Sequence, residues 1–126
     1  MRLGDIELKL SSAIGAYLKE VYPYLQDKPY PVAICLDDTQ FKVALKVRDR
    51  KTTAKAAYNI PTNILYFRNT PIEISLAHEL EHWAQAQRAG PDVYIEQLQS
   101  VRTFLEYEKS ADEVALGNAH KLTGKY

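Results

Sequence analysis

Two histidines and a glutamate in the run Ala77-His78-Glu79-Leu80-Glu81-His82-Trp83 are the residues best equipped for chemistry in this chain. Residues four apart on a helix are separated by about 40° in projection, so His78 and His82 present both imidazoles to one side, where a single cation can meet them. Glu79, displaced by about 100° from His78, reaches a water beside that cation without ligating it, and so is placed for general-base hydrolysis. A shuffle of this composition yields HExxH with a probability of roughly 0.5%, so the motif is uncommon but not decisive. The same five residues also satisfy the inverted spacing HxxEH, in which Glu81 would be the base. The motif alone leaves both orders open.

The motif needs a helix, and the flanking residues provide for one. Asn69-Thr70-Pro71 reads as its start, with Thr70 as N-cap, Pro71 at the first helical position and Glu73 three residues after the cap. The helix should run to about Arg88, where Gly90-Pro91 breaks it, and a last helix covers roughly Tyr94 to Leu122 with an interruption near Ser100. Upstream, Ile6, Leu10, Ile14, Tyr17, Leu18 and Val21 recur at helical spacing up to Pro23. Between these helices PVAICLD from Pro31 is a short apolar run, and Phe41, Val43, Leu45 and Val47 alternate with Lys42, Ala44 and Lys46. Both predict strands. Lys55 to Ile60 and Asn63 to Arg68 predict two more, joined through Pro61-Thr62 by a link short enough for antiparallel neighbours. The expected fold class is α+β: an N-terminal helix, a small and mostly antiparallel twisted sheet, the HExxH helix and a C-terminal helix. Leu80 and Trp83 share a stripe with Leu76 and are expected in the core, whereas Glu81 is expected in solvent.

Composition narrows the function classes. At 126 residues the chain fits one domain spanning 1–126. A hydrophobic content of 46% against 25% charged is the balance of a soluble globular protein. Sixteen basic and sixteen acidic residues cancel, so the positive footprint of a nucleic-acid binder is missing. The single Cys35 has no internal disulfide partner and reads as a small buried hydrophobe in a reducing compartment. The sequence offers neither a signal peptide nor a run of about 18 apolar residues, so a cytoplasmic protein without membrane contacts is expected.

A catalytic zinc takes three protein ligands, and the third separates the classes of HExxH enzymes. Metzincins continue as HExxHxxGxxH, but Gln85 and Arg88 stand where Gly and His belong. Twenty-six residues beyond His82, Glu108-Lys109-Ser110-Ala111-Asp112 resembles the ExxAD signature on the second active-site helix of gluzincins. Over about 60 residues, from Ala54 to Ala115, the chain is similar to minimal single-domain gluzincins and ImmA/IrrE-like metallopeptidases. The resemblance implies a zincin-like fold with one Zn2+ per chain held by His78, His82 and Glu108, and Glu79 as general base. It sets the inverted order aside, because inverted enzymes place their third ligand farther downstream than the chain allows. Asp112, four residues after Glu108 on the same helix face, would accept a hydrogen bond from a zinc-bound histidine, and Ala111 would let the two helices approach closely.

In that clan the strand matching Ala56-Ala57-Tyr58-Asn59 forms the upper rim of the cleft and pairs with an extended substrate, which makes Ala57 and Tyr58 substrate-binding candidates. An exposed strand edge suits that role physically, since its free backbone groups can accept an added strand. The expected activity is hydrolysis of peptide bonds in a peptide or protein substrate. Its alternative is a silent or latent zincin module with a regulatory role, closed by a terminal segment in the cleft. His120, Tyr107, Arg102 and Tyr126 are candidates to stabilise an oxyanion, with none preferred.

Overall fold

The computed structural model describes residues 3–45 and 55–126. Helix α1, Leu3–Val21, buries Leu10, Ile14, Tyr17 and Leu18, the stripe that its apolar periodicity predicts. Pro23 then starts a short 3-10 turn, Pro23–Leu25, because its ring has no N–H to continue the α-helix. Strand β1, Val32–Leu36, follows and is tied back to α1 by the Cys35 N–H donating to Glu7 Oε1 at 3.0 Å.

The alternating segment Phe41–Val47 is a correction. Its first part belongs to helix α2, Asp38–Ala44, and residues 46 and 47 lie outside the described residues. Local capping outweighs the two-residue alternation: Asp37 accepts the Gln40 N–H at 2.8 Å, and the Asp37 N–H donates to Gln40 Oε1 at 3.2 Å. Phe41 is fully buried beneath the Arg68 guanidinium, whereas Val43 is largely exposed.

Loss of that strand changes the sheet. Strands β2, Ala56–Asn59, and β3, Ile64–Arg68, complete three strands in the order β1-β3-β2. β2 pairs antiparallel with β3 as expected, but β1 pairs with β3 in parallel, with Val32 opposite Ile64 and Leu36 opposite Arg68. The sheet is therefore mixed rather than mostly antiparallel, since α2 stands between β1 and the hairpin where an extra strand was expected. Leu65 and Phe67 point from the central strand into the core, and among the described residues β2 pairs with β3 alone.

Helix α3, Glu73–Ala89, runs through the middle of the molecule. Its expected cap is also corrected. The N-cap is Ile72, without a side-chain bond, and the helix begins two residues past Pro71. The Pro71 carbonyl accepts the Tyr126 hydroxyl at 2.8 Å, and the first helical bond runs from Leu76 N–H to Ile72 O at 3.1 Å. Leu76, Ala77, Leu80, Trp83, Ala84 and Ala86 are fully buried, each large side chain worth about 1.5–3 kcal/mol of burial. Gly90 ends α3 at φ 92°, a conformation that favours glycine, and Pro91 opens helix α4, Pro91–Gln97. Ser100 accepts the Thr103 N–H at the start of helix α5, Val101–Asn118, so the expected interruption near Ser100 is observed. A 3-10 turn, Ala119–Leu122, closes the chain against α3. α5 packs on α3 through Ala111 and Ala115, both fully buried, and their small side chains set a close approach between the two helices. Among the described residues no helix is long and apolar enough to cross a membrane.

Candidate metal centre

The crossing of α3 and α5 brings the two motifs together. His78 and His82, one turn apart on α3, direct their Nε2 atoms at each other across 3.0 Å, with the rings nearly perpendicular. From α5, Glu108 reaches the same point: its Oε1 lies 2.9 Å from His82 Nε2 and its Oε2 3.3 Å from His78 Nε2.

The outer nitrogen of each ring meets an acceptor. Asp112 Oδ1 lies 2.8 Å from His78 Nδ1, and Gln85 Oε1 lies 3.0 Å from His82 Nδ1. Acceptors there can take hydrogens from Nδ1, which would free both Nε2 lone pairs to face inward with the Glu108 carboxylate. Three converging acceptors of this kind can hold a cation. Zinc at 2.0–2.1 Å from each ligand would set them roughly 3.3 Å apart in a tetrahedron, close to the spacings of 2.9, 3.0 and 3.3 Å found here. The residues therefore fit the ion.

A second carboxylate adjoins the set. One oxygen of Glu79 and one nitrogen of each histidine lie within 4.8 Å of one another, so Glu79 belongs to the centre but stands farther out than Glu108. The shorter contacts to the two histidines are those of Glu108, with Glu79 beside them. Burial pushes the Glu79 pKa up, against the opposing pull of His82 and His78. Burial works against charge on the His82 ring, but the hydrogen bond to Glu108 and the charge of Glu79 outweigh it and raise its pKa. The His82 hydrogen bond in turn lowers the pKa of Glu108.

Glu81 is a correction with a consequence. Expected in solvent, it is 2% exposed. It accepts the Tyr22 hydroxyl at 2.8 Å and pairs with the Arg88 guanidinium at 2.6 Å. A carboxylate held by Tyr22, just past α1, and Arg88, near the end of α3, is engaged away from the two Nε2 atoms, which argues against the inverted order. The pairing is invisible to local patterning because Tyr22 lies 59 residues away in sequence.

The cleft over the centre has a volume of about 220 Å³ and is walled by Ala56, Ala57 and Tyr58 of β2 on one side and Leu98 and Phe104 on another. Both rim candidates, Ala57 and Tyr58, thus line the space that holds Glu79, His82 and Glu108. Tyr58 is also anchored, its hydroxyl donating to Asn63 at 2.7 Å. None of the four oxyanion candidates lines this cleft. Arg102 pairs with Glu106 on an exposed surface, Tyr107 donates to Gln97, Tyr126 donates to Pro71 and His120 is exposed. Tyr126 at the start of α3 also leaves the described C-terminal segment outside the cleft lining. Gln85 and Tyr94 were not foreseen as site residues; the available signal was the three-residue step from His82 to Gln85, which puts both on one helix face. No family model, curated protein or solved structure matches this chain.

Proposed function

We propose that the protein is a zinc-dependent metallopeptidase of the gluzincin type, built on a zincin-like fold and acting on a peptide or protein substrate. The observation that carries the reading is the convergence of His78 Nε2, His82 Nε2 and the Glu108 carboxylate at 2.9–3.3 Å, with the Glu79 carboxyl beside them in a cleft. These three residues would hold one zinc ion, which when bound supplies Lewis acidity toward water and the scissile carbonyl.

The chain's own groups supply the rest. Glu79, buried and with a raised pKa, takes the proton of the attacking water and returns it to the leaving amide nitrogen. Asp112 holds the His78 ring in the tautomer that presents Nε2. The edge of β2, with Ala57 and Tyr58 on the rim, offers backbone groups that align an extended peptide across the cleft. Cys35, a buried free thiol, accords with a reducing, cytoplasmic setting.

The test is hydrolysis of an unfolded protein substrate by the zinc-loaded chain beside Glu79→Gln. Turnover by the wild type, and its loss in a variant that keeps its zinc, is the expected result. Equal turnover by both proteins would refute the role of Glu79.

A further inference from the structure

We infer that Gln85 is a positioning residue of the metal centre, one side chain that sets the second histidine ligand and the carboxylate ligand together. The inference rests on the metal-centre reading and extends it to a residue outside the ligand set.

Gln85 is 2% exposed and has three polar partners. Its Oε1 lies 3.0 Å from His82 Nδ1 and accepts the Tyr94 hydroxyl at 2.8 Å, so both lone pairs are used. Its amide nitrogen donates to the Tyr107 carbonyl at 2.9 Å. Tyr107 directly precedes Glu108, so this bond ties α3 to the α5 backbone beside the third ligand. The Tyr94 hydroxyl also lies 3.2 Å from His82 Nδ1, and its ring meets the Tyr107 ring edge-on at 4.9 Å. A buried amide held by two partners at its oxygen and one at its nitrogen is confined to one orientation. That orientation turns the His82 ring so that Nε2 faces the centre, and it fixes the height of Glu108 along α5.

Asp112 and Gln85 therefore act in parallel, one on each histidine, with different chemistry. Asp112 has 68% of its side chain in water and touches only the ring, whereas Gln85 is buried and couples the ring to the neighbouring helix. A side chain that merely filled this space would be replaceable by leucine.

The experiment compares zinc affinity, by competition with a chromophoric chelator, for the full-length wild type, Gln85→Leu and Gln85→Glu, together with the visible spectrum of each protein loaded with cobalt(II). Gln85→Leu removes the acceptor from His82 and is expected to weaken zinc about 10–100-fold and to alter the cobalt bands. Gln85→Glu keeps the acceptor for His82 but sets a carboxylate oxygen against the Tyr107 carbonyl, so it is expected to recover part of the affinity lost in Gln85→Leu while its cobalt bands still differ from those of the wild type. Should Gln85→Leu fail to fold, Gln85→Glu decides alone, and wild-type affinity with a wild-type cobalt spectrum despite the lost donor to Tyr107 overturns the inference. Wild-type affinity and spectrum in Gln85→Leu would overturn it while leaving the metal centre standing. A wild type that binds no zinc would overturn both.

Discussion

Asp112 Oδ1 lies 2.8 Å from His78 Nδ1, four residues along the same helix from the Glu108 that meets His78 Nε2. One face of α5 thus addresses both nitrogens of a single imidazole, as ligand partner on one side and tautomer-setting acceptor on the other. Asp112→Ala is expected to weaken zinc about 10–100-fold while leaving the fold intact, because the aspartate is mostly solvated. Calorimetric titration of the metal-free protein checks this, and unchanged affinity would contradict it.

Glu79→Gln separates metal binding from chemistry. The substitution keeps the shape but removes the base, so zinc should remain while turnover falls by about 10²–10⁴-fold. Parallel metal content and peptide-cleavage rates decide it.

The Glu81 cluster predicts the opposite separation. Glu81→Ala leaves the buried Tyr22 hydroxyl without its acceptor and Arg88 without its carboxylate, at a cost of about 1–3 kcal/mol. Zinc stoichiometry should not change. A lower urea midpoint at full zinc occupancy is expected, whereas lost turnover at unchanged stability would restore Glu81 as a candidate base.

These contrasts mark what local patterning carried. His78, Glu79 and His82 were legible because helical spacing alone puts them together, and Glu108 and Asp112 because a second motif lies on one helix face. Glu81 was misread, since Tyr22 meets it from 59 residues away, and the weight of Arg88, seven residues along the same helix, was not taken into account. Phe41–Leu45 was misread because a two-residue alternation was weighed without Asp37 and Gln40, whose reciprocal bonds start a helix. Gln85 and Tyr94 were missed because their contacts join three helices: Gln85 donates to the Tyr107 carbonyl of α5, and Tyr94 donates to Gln85 from α4.

Protonation gives a further prediction, for the metal-free protein. His82 is raised above its ordinary 6.5, so its contribution is fully present below that value and is lost as pH rises through the folded pKa. Glu79, raised by burial, loses stability in the same direction. Glu108 is lowered by its bond with His82, so its contribution is present above 4.5 and lost only as pH falls through its depressed value. Metal-free stability should therefore be greater near about pH 6 than near about pH 8. Zinc affinity should run the other way, because the ligand histidines must be neutral. Thermal melts of chelator-treated protein and zinc titrations at both pH values check the two slopes, and a metal-free protein more stable at the higher pH would contradict the first.

The central claim is that three side chains from two helices hold one zinc, and metal content by mass spectrometry tests it most directly. Wild type, His82→Ala and Glu108→Ala are each supplied with zinc, desalted and measured. About one zinc per chain in the wild type and little in either variant is the predicted result. No zinc in the wild type, or full zinc in Glu108→Ala, would contradict the centre described here.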